Sequence, residues 1–149
     1  METRNREMKA LLKLSIVAIA GSAFIGQGRT WAGDSTPTVT ISGRIMGASD
    51  THAVYVMLWD ATGFLKQAAR QVQLKPRSDH SYHFTVPPGR WAVSAFEDKN
   101  DNGVLDMGFF GPKEPSGFWR PFQGHRKPVF DDVATNVDRN VLDADVTLR

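Results

Sequence analysis

The sequence predicts an all-β fold, an antiparallel β-sandwich of about seven strands, from three observations. Short runs of alternating or continuously apolar residues recur between Thr38 and Leu148, as half-buried and central strands require. Turn-forming clusters rich in Gly, Pro, Asn and Asp separate them. No window shows the sustained 3.6-residue apolar stripe of an amphipathic helix. Many short strands at regular spacing bury their apolar faces best as two packed sheets.

After a polar leader at Gly33–Pro37, Thr38–Ile45 alternates with Val39, Ile41 and Ile45 on one face. Gly47–His52 has turn chemistry. Ala53–Trp59 is apolar on both faces, the pattern of a central strand. Asp60–Leu65 is a loop around Gly63, Arg70–Lys75 alternates again, and Pro76–Asp79 turns the chain. Ser81–Val86 offers Tyr82, Phe84 and Val86 to one side. Pro87-Pro88-Gly89 makes a sharp turn, since proline presets φ and glycine takes the next bend. Arg90–Phe96 follows with Trp91, Val93 and Ala95 on a common face. Residues 97–126 form a long Gly- and Pro-punctuated loop, and Val129–Val133 reads as a short edge strand. Val141–Leu148 is the last strand, with Leu142, Ala144, Val146 and Leu148 inward and Asp143 and Asp145 outward.

The N-terminus reads as an address. Residues 1–13 carry four basic side chains, an apolar run spans Leu14–Ile25, and Thr30-Trp31-Ala32 sets small residues around a cleavage point. That is the pattern of a secretory signal peptide at 1–32, and the apolar run is shorter than the roughly 20 residues of a spanning helix. The expected mature protein is a single domain, 33–149, without a membrane span, located in the periplasm or secreted. The pI of about 9.1 belongs largely to the leader. Five of the 18 Lys and Arg residues lie before Gly33, which leaves the domain close to neutral and excludes a basic nucleic-acid-binding surface. With no cysteine, an exported domain has to be held by packing and by any bound metal.

The most specific pattern is Asp98-Lys-Asn100-Asp-Asn102-Gly103-Val104-Leu-Asp106. Oxygen-bearing side chains stand at loop positions 1, 3, 5 and 9, glycine at 6, and Val104 at 7 would offer its carbonyl. These are the first nine positions of an EF-hand-type Ca²⁺ loop, in which alternate side chains of a tight curl converge on one point. Position 12 is Phe109 rather than a bidentate Glu. A bound Ca²⁺ would therefore draw on Glu97, Glu114, Asp131, Asp132 or water as well. The metal-free alternative is an Asx-rich turn.

Phe109–Phe122 holds five aromatic residues in a stretch of 14. Phe118, Trp119 and Phe122 are the candidate ligand-binding rings for a sugar or apolar ligand, and the alternative is a lid over one end of the sandwich. His80 and His83, three apart on a strand, point to opposite faces and make no metal pair. There is no G-x-S-x-G elbow, thiol nucleophile or phosphate-binding glycine loop. The Asp131-Asp132 and Asp143-x-Asp145 pairs fit solvated turns and strand faces better than glycosidase chemistry.

Taken together, Val86-Pro-Pro-Gly-Arg-Trp-Ala-Val93, Glu97–Asp106, Gly111-Pro-Lys-Glu-Pro-Ser-Gly-Phe118 and Pro128–Ala134 resemble, in order and spacing, the bacterial family called domain of unknown function 2141. The resemblance runs from about Val39 to Leu148. It implies a transthyretin-like or immunoglobulin-like sandwich, export, and no established activity. The chain departs from the family pattern at Trp119–Arg126, where a more Asn- and Gly-rich stretch is expected. The Pro-Pro-Gly-x-Trp-x-Val strand is also similar to one in transthyretin-related hydroxyisourate hydrolases, but their C-terminal Tyr-Arg-Gly-Ser is missing from Val146-Thr-Leu-Arg149.

The expected function is thus an exported, non-catalytic protein whose Ca²⁺ loop orders the neighbouring aromatic loop for a protein, small-molecule or glycan partner. The alternatives are a carbohydrate- or small-ligand-binding module and a hydrolase using carboxylates or a Ca²⁺-bound water.

Overall fold

Five apolar runs become the five main strands. The computed structural model describes residues 35–149, and the expected signal peptide at 1–32 lies outside the described residues. The main strands are β1 (Val39–Met46), β2 (Ala53–Trp59), β3 (Arg70–Leu74), β4 (Ser81–Val86) and β5 (Gly89–Asp98). The long loop adds three short ones, β6 (Met107–Gly108), β7 (Gly111–Pro112) and β8 (Ser116–Phe118). One helical turn, α1 (Phe130–Val133), precedes β9 (Thr135–Val137) and β10 (Val146–Thr147). The described residues thus form ten strands rather than about seven, chiefly because the long loop pairs with the sheet and with itself.

The strands make two facing sheets, one in the order β10-β1-β4 and the other β3-β2-β5-β8, with β9 also on β5 and β6–β7 as a separate hairpin. Inward residues of both sheets form the main core, among them Ile41, Val56, Leu58, Phe84, Val93 and Val146. Each such side chain contributes roughly 1.5–3 kcal/mol by leaving water. A second cluster lies on the other face of the larger sheet, where Met57, Trp59, Ala92 and Phe96 are covered by Phe64, Phe118, Phe122 and α1. β2 and β5 are therefore buried on both faces, which is why neither alternates in polarity. The buried Trp59 indole donates to Ser94 Oγ at 2.8 Å.

Two expectations for the C-terminal third need correction. Val129–Val133 is not an edge strand. The Asp132 carboxylate accepts the Val129 N–H at 2.8 Å, and Ala134 N–H reaches Phe130 O at 2.9 Å, so the segment closes into a helical turn. The strand comes just after it, as β9. The last segment also differs, because β10 runs parallel to β1 while the other strand pairs are antiparallel.

A bulge explains the altered phase of that segment. Ser42 N–H donates to Val141 O at 2.8 Å, and Ser42 O accepts from Ala144 N–H at 2.9 Å. A regular parallel ladder would use residue 143, so one extra residue is inserted. Leu142 is pushed outward to 75% exposure, whereas Ala144, Val146 and Leu148 stay inside as expected. Side chains supply missing rungs: Asn140 Oδ1 accepts Thr40 N–H at 2.9 Å and Asp145 Oδ1 accepts Arg44 N–H at 2.8 Å. The buried Tyr82 hydroxyl donates to Ala144 O. Burial, with the Asp145 charge, pushes the Tyr82 phenol well above its usual range. Arg149 and Ser116 then exchange two backbone bonds of 3.2 Å, lacing the end of the chain to β8 of the other sheet.

The bulge lies so close to β1 that a Cβ at Gly43 would collide with the Ala144 carbonyl. Gly43→Ala is expected to destabilise the protein by about 2 kcal/mol or more, read as a lower urea midpoint at unchanged slope.

Candidate functional site

The acidic loop starts where β5 leaves the sheet. Alternation sends the last two side chains of the strand to opposite faces, and both are buried: Glu97 is 2% and Asp98 1% exposed. Asp98 Oδ1 accepts Asn102 N–H at 3.1 Å and its Oδ2 accepts Gly103 N–H at 2.7 Å. One carboxylate thus pulls the loop into a tight curl. The curl needs left-handed backbone at Gly103 (φ 74°), as the sequence pattern anticipated, and at Asp101 (φ 57°). Asn102 Oδ1 accepts Val104 N–H at 2.9 Å.

Asp106 joins two of the remaining polar side chains by hydrogen bonds. Asp106 Oδ2 accepts Asn100 Nδ2 at 2.6 Å and Asn102 Nδ2 at 3.1 Å. Of the four supplementary carboxylates, Glu114 lies against the loop. Pairing of β5 with β8 sets Phe96 opposite Ser116 and gives Glu97 N–H to Pro115 O at 3.0 Å. Continued two residues, that register brings Glu114 level with Asp98. Glu114 is 7% exposed, and its carboxylate accepts Lys99 N–H at 2.9 Å and Asp106 N–H at 3.2 Å, holding both ends of the loop.

The other three candidates go elsewhere. Glu97 accepts the Ser49 N–H at 3.2 Å and the Ser49 hydroxyl, tying the β1–β2 turn. Asp131 pairs with Arg90 at 2.6 Å. Asp132 receives both arms of the Arg126 guanidinium at 2.8 Å, and this bond, together with the Val129 N–H, lowers its carboxyl below the ordinary range. Among the described residues these two arginine pairs are the ion pairs, so Asp98 and Glu114 are buried without a basic partner. No three His, Cys, Asp or Glu side chains among the described residues are clustered to hold a metal by themselves. The loop's donors are two carboxylates and two amides, with Glu114 beside them, a hard oxygen set.

The three candidate aromatic residues do not form one platform. Phe118 and Phe122 pack on the outer cluster of the larger sheet and Trp119 packs against the main core. Phe118 and Trp119 are adjacent along β8 and beyond it, so they take opposite faces. All three are half-buried. Arg126 lies over the Phe122 ring at 5.4 Å, and Arg120 donates to Ala134 O at 3.1 Å. This part of the loop is a lid on the sheet. The aromatics left in the open are Phe109 and Phe110, 95% and 99% exposed at the tip of the β6–β7 hairpin. Sequence reasoning counted them with the others, because proximity in the chain does not reveal which rings the sheet covers.

A family model described as "Uncharacterized protein conserved in bacteria (DUF2141)" matches residues 45–144. The chain belongs to that family. The match runs from the end of β1 to the bulge and takes in the acidic loop, the hairpin and the lid. No curated protein and no solved structure matches the chain significantly.

Removing Glu114 leaves the Lys99 and Asp106 N–H groups without their acceptor. Glu114→Ala is expected to destabilise by about 1–3 kcal/mol. Hydrogen exchange at those two amides should accelerate well beyond that at β1 and β4.

Proposed function

We propose that this is an exported, non-catalytic β-sandwich protein that binds Ca²⁺ through Asp98, Asn100, Asn102, the Val104 carbonyl and Asp106. Glu114 is the buried carboxylate nearest to a substitute for the Glu missing from position 12. The observation that carries this reading is that Asp98 and Glu114, at the two sides of the loop, are both buried and accept only backbone N–H groups, with no basic side chain among the described residues to balance them. Uncompensated buried charge is costly, and a divalent ion would offset it.

The spacing of the loop side chains supports the same reading. Asn100 and Asn102 place their amide ends 2.6 and 3.1 Å from Asp106 Oδ2. Neighbouring oxygens around a Ca²⁺ ion with 2.3–2.6 Å bonds stand roughly 3 Å apart. Turning each amide about its last torsion would bring oxygen to that point, at the cost of the bonds that Asn100 Oδ1 and Asn102 Oδ1 accept from the Asn102 and Val104 N–H groups. The bound ion would join Asp98, at the end of β5, to Asp106, whose carbonyl accepts Lys113 N–H at 2.8 Å beside the β6–β7 hairpin. It would therefore set how firmly the hairpin is held. Export rests on the basic, apolar and small-residue order of residues 1–32. No helix among the described residues is long and apolar enough to cross a membrane.

Thermal unfolding in EDTA and in rising Ca²⁺, with Mg²⁺ as control, tests the ion site. At Ca²⁺ one hundred times the dissociation constant, the folded form should gain about 2.7 kcal/mol, seen as a rise in Tm. Asp98→Ala/Asp106→Ala should lose that rise. A rise that survives in the double variant places the ion elsewhere.

A further inference from the structure

The chain contains a single Asn–Gly pair, Asn102-Gly103, and it lies exposed in the acidic loop. Asparagine followed by glycine is chemically labile. The glycine nitrogen can attack the side-chain amide carbon, and no Cβ stands in its way. The other asparagines of the domain are less prone, since Asn136 and Asn140 precede β-branched valines and Asn100 precedes Asp101.

The fold sets each reacting group against a partner suited to that attack. Gly103 N–H donates to Asp98 Oδ2 at 2.7 Å, so the attacking nitrogen already has an acceptor for its proton. Asp98 is 1% exposed at the end of β5, which keeps that acceptor in place. Asn102 Oδ1 accepts Val104 N–H at 2.9 Å. That donor stabilises the negative charge which collects on the oxygen as the amide carbon becomes tetrahedral. The same bond folds the Asn102 side chain back over the Gly103 peptide, the posture from which a five-membered ring closes. Asn102 N–H is held by Asp98 Oδ1 at 3.1 Å, so one carboxylate steadies both halves of the pair. We propose that Asn102-Gly103 is a self-modification site, at which the folded loop converts Asn102 to aspartate or isoaspartate with Asp98 as the proton acceptor.

In the first step the Gly103 nitrogen bonds to Asn102 Cγ and passes its proton to Asp98 Oδ2. The proton returns through water to the side-chain nitrogen, the Cγ–Nδ2 bond breaks, and ammonia leaves behind a succinimide ring. Water then opens the ring. Cleavage of the new bond to Cγ leaves aspartate in an intact backbone, and cleavage at the main-chain carbonyl leaves isoaspartate. The sum is one water consumed and one ammonia released. A consequence that rests on the Ca²⁺ reading above is competition between the ion and the reaction. An ion held by Asp98 and by a turned Asn102 amide takes away both the proton acceptor and the Val104 bond.

The test is incubation of the full chain at neutral pH, in EDTA and in Ca²⁺, followed by intact mass and proteolytic mapping of position 102. Each event adds about 1 Da. A free peptide of residues 98–106 gives the rate without the fold. The full chain in EDTA should react about tenfold faster than the peptide. Asp98→Asn should bring it down to the peptide's rate. Asp101→Gly, which frees the curl at its other left-handed residue and leaves Asp98 in place, should stay well above that rate. A full chain that reacts no faster than the peptide overturns the proposal, because the fold then shields the pair. So does an equal loss in both variants, which makes the order of the loop rather than Asp98 the cause. Ca²⁺ should slow the reaction over the concentrations that raise Tm. A reaction that continues unchanged while Ca²⁺ raises Tm keeps the site and overturns the competition. A fast reaction in a chain whose Tm ignores Ca²⁺ keeps the site and overturns the ion reading alone.

Discussion

Strand β5 is held from four sides. It bonds to β2 along one edge and to β8 and β9 along the other, and apolar clusters cover both its faces. A strand in that position has no solvent face and little freedom to slide, because a one-residue slip would exchange the two faces. Its end is therefore fixed in space, and Asp98 with it. The acidic loop takes its shape from that fixed carboxylate, which holds the Asn102 and Gly103 amides. The route from sandwich to candidate site passes through this one strand.

The same strand brings in the partner of Asp98. Glu114 lies across the β5–β8 register and supports the two ends of the loop through the Lys99 and Asp106 amides. Backbone N–H groups can solvate a buried carboxylate, but they leave its charge in place. Glu97, one residue earlier, takes the opposite face and serves the β1–β2 turn. Three acidic side chains at one end of the sandwich thus have distinct surroundings. The lid residues lie on the outer face, where Phe118 and Phe122 complete a hydrophobic layer and Arg126 is tied to Asp132.

The five main strands were legible because each has the signature of its burial. Val39, Ile41 and Ile45 alternate on a sheet with one wet face, whereas Ala53–Trp59 is continuously apolar because both faces of its sheet are covered. The curl of the acidic loop was legible too, since the spacing of Asp98, Asn100, Asn102 and Asp106 and the glycine at 103 encode it locally. The segment around Leu142 was misread. Its alternation is correct only if the ladder is regular, and the extra residue at the bulge depends on bonds to Ser42, about a hundred positions earlier in the chain.

What the sequence by itself determined is therefore the five main strands, the turns between them, the curl of the acidic loop and the family. Tertiary structure alone decided which of Glu97, Glu114, Asp131 and Asp132 meets that loop. It also separated the aromatic residues that cover the sheet from the pair at the hairpin tip, and it set the parallel direction of β10. Each of these depends on pairings between distant segments. Such pairings are selected by the energy of the whole packed core, and no local pattern records them.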